Sequence, residues 1–187
     1  MTNTKSLIAA TLALAAITAA SACAANDPKP NTTATIAVTS TASTPTQSST
    51  ALSPAAQDAK DAEMAITRFW GVLDELASDP KKSLDQLAVV SRDQAIAQWR
   101  SNLTTYRRSG WKQVGDSTVL TAEAQAVGGR TFEVKACIDV SKANVVDRAG
   151  KSVIAAVRQD RMEYSYKVQK APEGFFVTED KLKGHPC

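Results

Sequence analysis

Three cysteines and one histidine limit the chemistry this 187-residue chain can perform. The cysteines are Cys23, Cys137 and Cys187, and the histidine is His185, inside the terminal GHPC. A Ser–His–Asp or Cys–His nucleophile would have to recruit that histidine from beside a cysteine expected to be oxidised. No CxxC, HExxH or close carboxylate cluster stands in the sequence, and a lone histidine cannot build a His-rich site, so no metal is expected. Gly128-Gly129 lacks a GxGxxG context and reads as a hairpin rather than a phosphate loop, and no cofactor is expected. One further set has chemical content. Asp160, Tyr164 and Tyr166 stand at even spacing, so in a strand an acid and two phenols share one face.

Cys23 closes an apolar run. The stretch 7–20 is about 14 residues long, short of the roughly 20 that a spanning helix needs. Lys5 precedes it and small residues follow it, the pattern of a secretory leader over residues 1–22. Ala20-Ser21-Ala22-Cys23 resembles a bacterial lipobox, departing from it at Ala20, where a larger aliphatic residue is usual. That resemblance implies acylation of Cys23 and a lipid anchor on the outer face of the cell membrane. Two or more acyl chains, at about 0.8 kcal/mol per buried CH₂, hold a protein stably where one is marginal. The alternative is plain cleavage after Ala22 and a soluble secreted product. Cys137 and Cys187 both lie in the part expected to fold, so in an exported chain they are expected to pair. Two unrelated thiols are the alternative.

Residues 23–53 are Ser, Thr, Ala and Pro with few charges and no aromatic residue. Such a segment cannot bury enough apolar area to offset the ordering cost of about 1–2 kcal/mol per residue, and it reads as a disordered tether. As flexible coil it spans roughly 30 Å.

The positioning elements begin at Ser53-Pro54, a helix cap followed by proline in the first turn. Ala62, Ile66, Phe69, Trp70, Leu73 and Leu76 repeat on one helical face as far as Asp79-Pro80. A short second helix is expected over Leu84, Leu87 and Val90. A third, from a capping box at 91–94, carries Ile96, Trp99, Leu103 and Tyr106 and ends at Gly110. Beyond it the hydrophobic period falls to two. Strands are expected over 117–127, 130–140, the segment of Met162, Tyr164, Tyr166 and Val168, and 174–180, with turns at Gly128-Gly129, 147–150 and 172–174. Polar on one face and apolar on the other, this antiparallel meander needs the helices as its cover. Cys137 falls on the polar face, so a bridge to Cys187 requires the tail to fold back across the outside of the sheet.

Three amphipathic helices followed by such a meander resemble the nuclear transport factor 2-like, or cystatin-like, α+β cone. The lipobox, the Ser/Thr tether and CIDVSKANVVDRAGKSV leading to GHPC are similar to small actinobacterial lipoproteins. The resemblance covers residues 54–187 and implies a bent sheet of about four strands closed by helices around a pocket. Cone enzymes of the isomerase and dehydratase kind carry an Asp or His base with Tyr or Asp donors. That implies Asp160 as base with Tyr164 and Tyr166 as donors. On the other reading Asp160 pairs with Arg158 or Arg161 at the surface and the tyrosines fill a core.

The inward lining expected from parity is Phe132, Met162, Tyr164 and Tyr166 under Trp70 and Trp99. With no assembled catalytic set, the expectation is a non-catalytic binding module for a partner protein or an apolar small ligand, with the cone enzyme as alternative. Homodimerisation through the exposed sheet face is a further option. Arg100, Arg107, Arg108 and Lys112 suit the carboxyl end of a helix, and a net charge of +3 does not call for nucleic acid.

Overall fold

The computed structural model describes residues 52–187. The leader over 1–22, the Cys23 anchor and all but the last two positions of the 23–53 tether lie outside the described residues.

Helix α1 (Pro54–Ser78) begins as its cap residues predict: the Ala56 N–H donates to the Ser53 hydroxyl at 3.2 Å. Its buried face carries Ile66, Phe69, Trp70, Leu73 and Leu76. The expected second helix is a 3₁₀ helix (Leu84–Val89) capped by Ser83. Helix α2 (Asp93–Ser109) stops at Gly110, whose φ of 71° is the left-handed conformation that ends helices.

The expected capping box at the start of α2 does not form. Ser91 is fully buried and its hydroxyl donates to the Leu87 carbonyl, and Arg92 at the cap position turns its side chain back to the Ala88 and Ser91 carbonyls, so no side chain caps the first turn of α2. The sheet supplies the anchorage instead. Val177 donates to Val90 O at 3.0 Å and receives the Arg92 N–H at 2.9 Å, and the Arg92 guanidinium sits 3.7 Å from the centre of the Phe176 ring.

The strands are β1 (Lys112–Val114), β2 (Thr118–Gly128), β3 (Thr131–Asp139), β4 (Asn144–Val146), β5 (Arg161–Ala171) and β6 (Gly174–Leu182). The order β2-β3-β5-β6 makes an antiparallel meander with α1 and α2 packed on it, an α+β arrangement of helices on a bent sheet. Strands β1 and β4 pair separately, and at three residues each they show no readable alternation. The hairpin between β2 and β3 turns on Gly129-Arg130, φ 58° and 63°, one residue later than Gly128-Gly129 suggests.

Phe132, Val134, Ala136 and Ile138 on β3, with Tyr164, Tyr166 and Val168 on β5, are buried toward the helices as alternation predicts. Three bulges bend the edge strands: Leu120 and Val127 are the extra residues in β2, and Thr178 is the extra residue in β6. The tail crosses the outer face, where Glu163 N–H donates to His185 O at 3.1 Å, and Cys187 is bonded to Cys137 with their Cα atoms 5.8 Å apart.

Gly115 joins β1 to the segment before β2 with φ 74°, and a Cβ there would overlap the Lys142 carbonyl oxygen. Gly115→Ala is expected to lower stability by at least about 1–2 kcal/mol, the left-handed cost alone, read as a lower melting temperature. An unchanged melting temperature would show that the β1–β4 pair contributes nothing to the cooperative fold.

Candidate functional site: the aromatic end of the cone

The inward aromatic residues pack mainly on one another. Tyr166 is 1% exposed, lies edge-on to Phe69 at 6.2 Å and stacks on Tyr164 at 5.8 Å. Its hydroxyl accepts the Trp70 indole N–H at 2.8 Å, which ties α1 to β5 through a buried hydrogen bond. Burial holds the Tyr166 phenol well above its ordinary pKa and lifts that of Tyr164 to about 12, with the Asp180 charge adding to both. Both phenols are neutral at physiological pH. Phe132 pairs with Phe175 at 5.9 Å, and Met162 is partly buried against the core.

A cavity of about 260 Å³ lies where α1 and α2 approach β1, β4 and the loop that follows β4. Of the six residues expected to line a pocket, Trp70 and Trp99 line this one, whereas Phe132, Met162, Tyr164 and Tyr166 belong to the packed interior. The two indoles meet edge to face, centroids 5.9 Å apart at 74°. Tyr106, Val145, Ile154 and Arg158 complete much of the wall.

Asp74, from α1, also lines it but is fully engaged: Oδ1 accepts from Gln113 Nε2 at 2.6 Å and Ser117 Oγ at 3.0 Å, and Oδ2 from Ser117 N–H at 2.8 Å. Burial outweighs those bonds and raises its pKa. The sequence places Asp74 next to Leu73 within the apolar stripe, and that position was the available signal for a buried acid. Its partners come from the unforeseen β1 and the segment after it.

A second buried acid lies deeper. Asp180 is 2% exposed; its Oδ2 accepts the Trp99 indole N–H at 2.6 Å, while its Oδ1 has no hydrogen-bond partner. Burial, opposed by the Trp99 bond, pushes its pKa up to about 6. The β6 bulge explains the geometry. Val177 faces the core, so strict alternation would send Glu179 inward. The extra residue Thr178 resets the register, which turns Asp180 in opposite Tyr166 and sends Glu179 out to Lys167 at 2.7 Å.

Asp160 does not share the face of Tyr164 and Tyr166. It is exposed ahead of β5 and lines an open groove of about 560 Å³ on the outer surface, beside Cys187. The strand begins at Arg161, so parity does not extend back to Asp160; its carbonyl instead accepts the Val140 N–H at 2.7 Å. Nor does it pair with a neighbouring arginine. Arg158 donates to the Val140 and Ala143 carbonyls, and Arg161 reaches Asp139. The Asp160-centred catalytic set is therefore not assembled. Among the described residues no group of three His, Cys, Asp or Glu side chains is placed to hold a metal, and no helix is long and apolar enough to cross a membrane.

No family model matches the chain, and no curated protein matches it in sequence. Solved structures do resemble it. The intermembrane-space region of the chloroplast protein ARC6 superposes with a TM-score of 0.52 at 16% identity, over 66% of this chain and 95% of that one. A candidate aromatic ring hydroxylase from Novosphingobium aromaticivorans gives 0.47 at 14% identity, covering 66% and 88%. The Kfla4162 protein from Kribbella flavida gives 0.42 at 14% identity, covering 68% and 90%. At such identities the likeness to the ARC6 region is one of fold: helices laid on an antiparallel sheet.

Proposed function

We propose that this protein is a lipid-anchored extracytoplasmic binding module that takes a small, largely apolar ligand at the aromatic end of its cone. The observation that carries the reading is the cavity walled by Trp70, Trp99 and Tyr106. An enclosed apolar void of about 150 Å³ accepts benzene, and this partly open cavity of about 260 Å³, aromatic on one side and polar on the other, has room for a single ring with a short substituent. The flanking indoles are held by hydrogen bonds to Tyr166 and Asp180, so little ordering cost remains for binding. Asp160, the base that the cone-enzyme resemblance implies, stands on the outer surface and does not meet Tyr164 or Tyr166. The lipobox-like residues before Cys23 support the anchor, and the Cys137–Cys187 bond suits an oxidising compartment.

Mass spectrometry of the full chain, extracted from its own cells in mild detergent, tests both halves. Under denaturing conditions the product is expected to begin at Cys23 and carry acyl groups. Under native conditions a small adduct is expected that leaves on unfolding. A free thiol at Cys23 removes the anchor, and a ligand-free protein that takes up no small aromatic compound removes the binding role.

A further inference from the structure

Building on that reading, we infer that the ligand is a small monocarboxylate with an aromatic or apolar body, and that Arg158 receives its carboxylate. Arg158 is half-buried at the cavity wall, and its Nη2 donates to both Val140 O and Ala143 O at 2.8 Å. Those two bonds fix one corner of the guanidinium fork and leave its other N–H groups unused. Among the described residues Arg158 forms no ion pair. Among the described residues, the one carboxylate that lines the cavity, Asp74, is committed to Gln113 and Ser117.

A half-buried cation without a counter-charge is costly, and a planar guanidinium matches a carboxylate with two parallel hydrogen bonds. A neutral donor stands close by. The Tyr106 phenol lines the same cavity and has no hydrogen-bond partner among the described residues. Arg158 pulls down on the Tyr106 and Tyr164 phenols against the upward push of burial, which places its charge near both. The ring of the ligand would then lie against Trp70 and Trp99, and its carboxylate between Arg158 and Tyr106.

The test is calorimetric titration of the full chain with a matched pair, phenylacetate and phenylacetamide, differing in charge but scarcely in shape. Wild type is expected to bind phenylacetate at least about tenfold tighter, a preference that shrinks with added salt. Arg158→Gln is expected to bring phenylacetate down to the amide's affinity, with Arg158→Lys recovering part of the difference. Tyr106→Phe, which leaves the backbone contacts of Arg158 intact, is expected to weaken phenylacetate about three- to tenfold and the amide less, because a bond to an ionised acceptor is the stronger one. Equal affinities in wild type, unmoved by either substitution, would overturn the anion assignment and leave the binding module standing. No heat from either compound would count against the cavity as a ligand site altogether.

Discussion

Replacing Cys137 and Cys187 together by serine is expected to lower the melting temperature by roughly 10–15 °C. The bond joins residues 50 apart in sequence, and closing a loop of that length contributes about 4 kcal/mol on the chain-entropy scale. For a domain of this size, each kcal/mol moves the midpoint by about 2–4 °C or somewhat more. The closed loop contains β5 and β6, the two strands that carry Tyr164, Tyr166 and Asp180. Reduction of the wild type should reproduce the loss, and reductant should leave the double variant unchanged. If reduced and oxidised proteins melt together, the tail is held by its backbone hydrogen bonds with Glu163, whose N–H donates to His185 O and whose carbonyl accepts the Lys183 N–H, and the bridge is energetically silent.

Asp180→Asn is expected to stabilise the protein by about 2 kcal/mol at pH 8 and to have little effect near pH 4. The folded protein holds this carboxyl proton more tightly than the unfolded chain, about 6 against the ordinary 3.8. Protonation therefore favours the fold: stability rises as pH falls through 6 and levels off below the unfolded value. A shift of two pKa units is worth roughly 3 kcal/mol, part of which is lost because the new amide nitrogen meets the same unpartnered position as Oδ1. The groups that face Asp180 are Trp99 and Gln94 of α2 and Tyr164 and Tyr166 of β5; Gln94 binds only its backbone, and none supplies a cation. Asparagine still accepts from the Trp99 indole, so a chemical-denaturation series across pH isolates the charge. An equal gain at pH 4 and pH 8 would make the effect one of packing.

Much of the architecture was legible from local rules. Ser53-Pro54, Gly110 and the alternating residues of β3 and β5 each follow from backbone geometry or a two-residue period, and each stands where those rules place it. The outward parity of Cys137 also foretold the path of the tail. Failures came where a neighbour distant in sequence took over a local role. Ser91 and Arg92 form a sheet-bound joint rather than a capping box, because Val177 offers them backbone partners.

The site was less legible, for a reason visible in β6. One extra residue, Thr178, reverses which side of the strand faces inward, and no period in GFFVTED announces it. Local alternation therefore gives no sign of Asp180, and the same alternation carried back past the start of β5 turns Asp160 inward, where it does not lie. Arg158 followed the same logic, since its position depends on carbonyls of Val140 and Ala143 that only the folded loop brings together. By itself the sequence determined the composition of the layers, the capped start of α1 and the glycine stop of α2, and it singled out the two downstream cysteines as a pair. These depend on residue types, short periods and parity. Only the tertiary structure decided which acids are buried and where the cavity opens, because bulges and long-range backbone bonds redirect side chains that local periodicity cannot track.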